Sequence, residues 1–143
     1  MSGRDPRAKC WIQRADLSVA VDDAPVDTVE QVMRHYDGFG WAAERAKFRD
    51  GEAAGATDVC PPGLGLNRST DDALLHLLPD GRGRVDAFLP GPPRKRRWFH
   101  IFQSFGGHIE VTGVPDTLVR PAVQHFLRGD DAALVTLMQG ATP

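Results

Sequence analysis

Histidines are the first candidates for chemistry in this sequence, because imidazole serves both as a metal ligand and as a general acid or base. The chain contains five histidines, which are His35, His76, His100, His108 and His125. None of them lies at the short spacing of a zinc site. Only His100 and His108 have a rationale for meeting, since a hairpin turn at Gly106-Gly107 would bring them and Glu110 together. These three side chains are either a small metal or catalytic site or ordinary cross-strand polar residues.

Other catalytic arrangements each lack a required part. Cys60 precedes two prolines, with no helix start to lower the pKa of its thiol. Ser104 lies in a predicted strand and not in a Gly-x-Ser-x-Gly elbow. The segment Gly63-Leu64-Gly65-Leu66-Asn67 lacks the third glycine and the lysine of a phosphate-binding loop. We therefore expect no cofactor, no catalytic residue and no metal ligand, and a binding protein in place of an enzyme.

A basic and aromatic run is the sharpest local feature of the chain. It consists of Arg94, Lys95, Arg96 and Arg97, followed by Trp98 and a phenylalanine. Four cations beside two aromatic rings are typical of contacts to phosphates and bases. They are equally typical of a solvated loop whose charges protect a strand edge, and of a surface that contacts a partner protein.

Acidic residues form a second candidate surface, of opposite sign. They are Asp22, Asp23, Asp58, Asp71 and Asp72. Clustered carboxylates suit a basic partner. Aspartate is also common where helices and strands begin, so the structural interpretation stands beside the functional one.

Two helices are predicted around a set of strands. The first begins near Asp27, with Glu30 completing a capping box, and ends at Gly38. The second follows Pro115 and ends at Gly129. Alternating or continuous apolar residues predict strands at 11–20, 64–66, 73–78, 84–89, 97–105 and 108–112.

Two segments and two breaks complete the pattern. Residues 41–49 fit a helix or a strand, and the alternation of Glu44, Ala46 and Phe48 favours the strand. Residues 132–138 fit a final helix or an edge strand. We expect Asp22-Asp23-Ala24-Pro25 to end the first strand and residues 50–55 to form a loop. The expected fold class is α+β, an antiparallel sheet of about five to six strands with two main helices packed against it.

Composition places this fold in one globular domain. The 143 residues are 41% hydrophobic and 25% charged, with a net charge of −2. Residues 1–10 are predicted to be a flexible lead-in, and residues 11–143 a single α+β domain. No apolar run has the length of a membrane span or a signal peptide, so we expect a cytoplasmic protein without a membrane partner.

This layout resembles the small α+β immunity proteins that neutralise secreted bacterial polymorphic toxins. The resemblance covers about residues 26–138 and is one of pattern. It rests on the early helix at 26–33, on Gly63-Leu64-Gly65-Leu66-Asn67, on Ile109-Glu110-Val111 and on the helix end at 124–129. It implies a cytoplasmic inhibitor without cofactor that occludes the active site of a toxin of the deaminase or nuclease class.

Three hypotheses follow from the sequence. The first is this immunity-type inhibitor, with a cognate protein toxin as its partner. The second is a nucleic-acid-associated regulatory module that uses residues 94–99. The third is a small enzyme whose site is assembled from distant residues, with His100, His108 and Glu110 as the candidates.

Overall fold

A computed structural model of the chain describes residues 5–91 and 108–141. Its centre is one six-stranded antiparallel sheet with the strand order β2-β1-β3-β4-β5-β6. The strands are β1 (Ala8–Gln13), β2 (Val19–Val26), β3 (Gly63–Arg68), β4 (Leu74–Pro79), β5 (Arg84–Pro90) and β6 (His108–Pro115). The helices are α1 (Val29–Asp37), α2 (Trp41–Ala53), α3 (Val119–Leu127) and α4 (Asp131–Gly140), with a short 3-10 turn, Asp116–Leu118, before α3. The predicted α+β fold is confirmed, with four helices where the sequence indicated two.

The inner face of the sheet carries the hydrophobic core. Alternate strand residues point to this face, and the core they form with the helices is almost wholly shielded from solvent. Phe126 of α3 and Leu134 of α4 are fully buried against it. The strand residues at 0 or 1% exposure on this face are Ala8, Cys10, Ile12, Val26, Leu64, Leu66, Leu75, Leu77, Val85, Ala87, Leu89 and Val114. The burial of Cys10 raises the pKa of its thiol to about 12, and both cysteines are free.

Arg68, at the end of β3, is the one cation buried within this core among the described residues. It is 5% exposed, and its guanidinium donates to both carboxylate oxygens of Asp131, at 2.8 and 2.9 Å. It also donates to both oxygens of Asp71 and to the backbone oxygen of Phe126, whose ring it covers at 4.7 Å. Arg68 therefore ties the sheet to α3 and α4.

The prediction of a strand at 41–49 is wrong, since these residues belong to α2. The buried carboxylate of Glu44 explains the helix better than local alternation does. It accepts hydrogen bonds from the Ala15 backbone, at 3.0 Å, and from Lys47, one helical turn on. Trp41, at the start of the helix, packs against the Tyr36 ring. The Trp41 indole N–H donates a hydrogen bond to the Tyr36 backbone carbonyl. The expected loop at 50–55 is also mostly helix.

The segment Asp22-Asp23-Ala24-Pro25 does not end a strand, because it lies inside β2. Edge strands tolerate proline and bulges, since one side of their backbone needs no partner. The single strand predicted at 11–20 is wrong, because β1 ends at Gln13 and β2 begins at Val19. The strand β1 also begins at Ala8, inside the segment predicted to be a flexible lead-in. Residues 132–138 form part of α4, which resolves that ambiguity in favour of a helix.

The first helix starts near the predicted point, with different capping residues. Thr28 is the N-cap and forms a capping box with Gln31. The Asp27 side chain instead accepts a hydrogen bond from the Arg7 backbone. Gly38 ends the helix as expected, and the predicted strands around 64–66, 73–78, 84–89 and 108–112 are all present. The strand and hairpin predicted at 97–107 lie outside the described residues.

No helix in the described part of the chain is long and apolar enough to span a membrane.

Candidate protein-binding face of the sheet

The outer face of the sheet, opposite the core, carries a row of side chains across five strands. The register pairs Trp11 with Gly65, Gly65 with His76, His76 with Phe88 and Phe88 with Glu110. Directly paired residues point to the same face of an antiparallel sheet. None of the apolar side chains of this row belongs to the core that the helices share with the sheet. We call the rings of Trp11, His76, Phe88 and the neighbouring His108 the ring row.

Neighbouring rings of the ring row are in contact. The Trp11 and His76 centroids lie 5.1 Å apart, those of His76 and Phe88 5.8 Å, and those of Phe88 and His108 5.6 Å. Such distances are those of favourable offset and edge-on aromatic pairs. Trp11, His76 and Phe88 are half-buried, because they cover one another. Burial lowers the pKa of His76, which keeps its ring neutral near pH 7.

Glycines in β3 make room for these rings. A Cβ on Gly65 would lie 2.0 Å from the Trp11 indole, and a Cβ on Gly63 would lie 2.7 Å from the His76 ring. The indole therefore lies flat over the backbone of β3, where its nitrogen donates to the Asn67 side chain at 2.9 Å. The glycines that resembled a phosphate loop in the sequence thus have a packing role.

Carboxylates stand at both ends of the ring row. Register shifts between Cys10 and Ile12 leave Asp22 and Asp23 opposite Trp11, in a bulge of the edge strand β2. Asp23 takes a positive φ of 49° there, which aspartate tolerates better than most residues. At the other end, Glu110 is exposed beside Phe88. None of the described cations forms an ion pair with these three carboxylates.

The other predicted acidic residues lie apart from this face. Asp58 is exposed in the connection before β3. Asp71 is engaged by Arg68 at 2.8 Å, and the hydrogen bond from that guanidinium lowers the pKa of its carboxyl. Asp72 is exposed in the β3–β4 connection with a φ of 58°. Arg94, Lys95, Arg96, Arg97 and Trp98 lie outside the described residues.

The candidate catalytic group is only partly within the described structure. His108 and Glu110 lie on an exposed strand face, and His100 is outside the described residues. No three metal-ligating side chains of residues 5–91 and 108–141 come close enough together to hold an ion. The described part of the outer face carries a row of rings with carboxylates at both ends.

Sequence reasoning named Asp22 and Asp23 as candidates and did not single out Trp11, His76 and Phe88 as a surface. The sequence signal for this surface was weak. These residues alternate with aliphatic residues along their strands, at positions that normally face solvent. Comparisons with protein-family models, with curated proteins and with solved structures found no match to this chain.

Proposed function

We propose that this chain is an immunity-type inhibitor, which binds a cognate secreted toxin of the deaminase or nuclease class and occludes its active site. The observation that supports this most is the ring row with carboxylates at both ends. Protein interfaces combine aromatic anchors at their centre with a polar rim, and complementary charge selects the partner.

The charge of the ends favours a basic partner. An enzyme that acts on nucleic acid needs a positively charged cleft to hold phosphates. Asp22, Asp23 and Glu110 present carboxylates that such a cleft attracts, and the rings between them supply apolar contact area. This combination makes the substrate cleft of a nucleic-acid-modifying toxin a suitable target.

The test uses the purified chain and the catalytic domain of a secreted toxin, which is sought first in the neighbouring gene. Titration calorimetry should give a dissociation constant in the nanomolar range or below, and the complex should lack toxin activity. A double variant, Asp22→Asn with Glu110→Gln, should weaken binding at least about tenfold, or about 1.4 kcal/mol.

The matched control is Glu52→Gln, which removes an exposed carboxylate from α2 and should leave the affinity unchanged. Normal growth of a strain lacking the gene, when it is exposed to the toxin, would contradict the proposal.

A second candidate function is binding of single-stranded nucleic acid by the ring row, because every base can stack on an aromatic ring. The carboxylates at both ends oppose it, since they repel phosphates. Tight binding of a short single-stranded oligonucleotide, weakened steeply by salt and by Phe88→Ala, would favour this function over the inhibitor.

A further inference from the structure

The loop that joins β1 to β2 has an unusual residue at its tip. The backbone N–H of Leu17 donates to the Arg14 carbonyl at 3.1 Å. The backbone N–H of Arg14 donates to the Ser18 carbonyl at 2.8 Å. This is the hairpin geometry in which a turn is followed by one residue in the left-handed region, usually glycine. Here that residue is Leu17, with a φ of 74°.

Leu17 is unfavourable in this position for two separate reasons. A bulky side chain with positive φ strains the backbone. The same side chain is also 47% exposed, and Val19 two residues on is 51% exposed. These are two of the three large hydrophobic side chains that are exposed among residues 5–91 and 108–141. Folding alone would favour glycine or asparagine at residue 17.

The loop is anchored through Ala15 by hydrogen bonds to two other parts of the chain, α2 and the segment before β3. The buried carboxylate of Glu44 accepts from the Ala15 backbone at 3.0 Å, and the Ala15 carbonyl accepts from Cys60 at 3.0 Å. Burial alone would raise the pKa of Glu44, but the hydrogen bonds from Ala15 and Lys47 outweigh it and lower that pKa. Glu44 therefore stays ionised at neutral pH, where its carboxylate accepts the hydrogen bond from the Ala15 backbone.

The side chains of the loop add to this rigidity. Asp16 accepts from the backbone N–H of Ser18 at 2.9 Å and from its hydroxyl, and these bonds lower the pKa of the Asp16 carboxyl. The Arg14 guanidinium donates to the Ser18 hydroxyl at 3.2 Å. The loop is thus a preformed support for one exposed apolar side chain.

We infer that this loop is a docking element in which Leu17 inserts into an apolar pocket at the substrate cleft of the toxin. The inference rests on the proposed function and specifies how that partner is held. A preformed loop binds without a cost for ordering its backbone. Strain at an exposed bulky residue is retained where the direction of the side chain matters for function.

The position of the loop makes one partner able to reach both surfaces. The hairpin β1–β2 carries Asp22 and Asp23 on β2 and Leu17 at its tip. Asp22 lies five positions along the chain from Leu17, and extended chain of that length spans at most about 16 Å. An interface of ordinary size spans that distance, so one toxin domain contacts the acidic end of the ring row and the loop together.

The test compares three variants at residue 17, with the toxin catalytic domain from the neighbouring gene as the probe. Leu17→Asn and Leu17→Gly both accept a positive φ but lose the apolar side chain. They should weaken binding at least about thirtyfold while the melting temperature stays equal or rises. Leu17→Met keeps an apolar side chain and should bind within about threefold of the original chain.

A separate substitution reports on the outer sheet face. Leu74 is exposed on β4, beside Asn67, and Leu74→Asn tests apolar contact there without touching the loop.

An unchanged affinity of Leu17→Asn, in a chain that still binds the toxin tightly, would overturn the docking loop and leave the proposed function standing. Failure of the unsubstituted chain to bind the toxin would overturn both.

Discussion

The two faces of the sheet are made by neighbouring residues of the same strands, yet they differ in what their side chains need. On the inner face, Leu75 and Leu77 are fully buried, and the guanidinium of buried Arg68 donates to Phe126, Asp131 and Asp71. On the outer face, His76 and Phe88 cover each other only in part, and Glu110 beside them forms no ion pair with the described cations. The inner face is explained by packing of the core, whereas the outer face carries rings that remain partly exposed and a carboxylate that pairs with no described cation.

The largest expected effect tests this contrast at two adjacent leucines of β4. Leu75 points inward at 0% exposure, and Leu74 points outward at 37%. Leu75→Ala should lower the free energy of unfolding by about 3 kcal/mol, because it leaves a cavity in the core. Leu74→Ala should cost less than about 1 kcal/mol. Chemical denaturation measures both, and equal losses would show that the two faces do not differ as described.

Arg68 gives a smaller effect with a pH signature. Arg68→Met should cost about 2 kcal/mol near neutral pH, because Asp71 and Asp131 lose their partner but remain partly open to water. The pKa of Asp71 is lowered in the folded chain, so its stabilising contribution is full above the ordinary aspartate value of about 3.9.

That contribution is lost as the pH falls through the lowered pKa. The difference in stability between the original chain and Arg68→Met should therefore shrink on acidification below about pH 3.9. Denaturation curves across this range measure it, and a difference that stays constant would contradict the assigned ion pairs.

The smallest effect on stability sharpens the account of the outer face. Gly65→Ala places a methyl group where the Trp11 ring now lies, and the ring must move. We expect a loss of about 1.5 kcal/mol and a red shift of tryptophan fluorescence as the indole becomes exposed. Gly140→Ala, at the last residue of α4 where a Cβ meets nothing within 4 Å, is the control and should neither lower the stability nor shift the fluorescence. An unshifted spectrum for Gly65→Ala would mean that Trp11 does not lie over β3.

The sequence predicted correctly those strands and helices that are determined by residues close together in the chain. The strands predicted at 73–78 and 84–89 follow from apolar residues in continuous or alternating runs, and both are present as β4 and β5. Residues 41–49 were assigned to a strand on the alternation of Glu44, Ala46 and Phe48, although their alanines and charged residues favour a helix. In the structure Glu44 is buried in α2, and its partner Ala15 is 29 residues away in the chain. A carboxylate in a segment of ambiguous periodicity carries no local mark of such a bond.

The candidate site was less predictable than the fold, for the same reason. Trp11, His76 and Phe88 come from three separate strands, and only the register brings their rings together. Asp22 and Asp23 were named as candidates for their charge alone. Their position opposite Trp11 depends on a bulge in a segment where the sequence predicted the end of a strand. The left-handed conformation of Leu17 has no signature in its residue type, since leucine rarely adopts it.

The most direct test of the central claim, that the outer face binds a protein partner, places one positive charge on each side of the molecule. Phe88→Lys changes the middle of the ring row, and Thr136→Lys changes an exposed position on α4. The affinity of each variant for the proposed toxin partner is then measured by calorimetry. We predict a loss of at least about a hundredfold for Phe88→Lys, or about 2.7 kcal/mol, and none for Thr136→Lys. Equal affinity of the two variants would contradict the account.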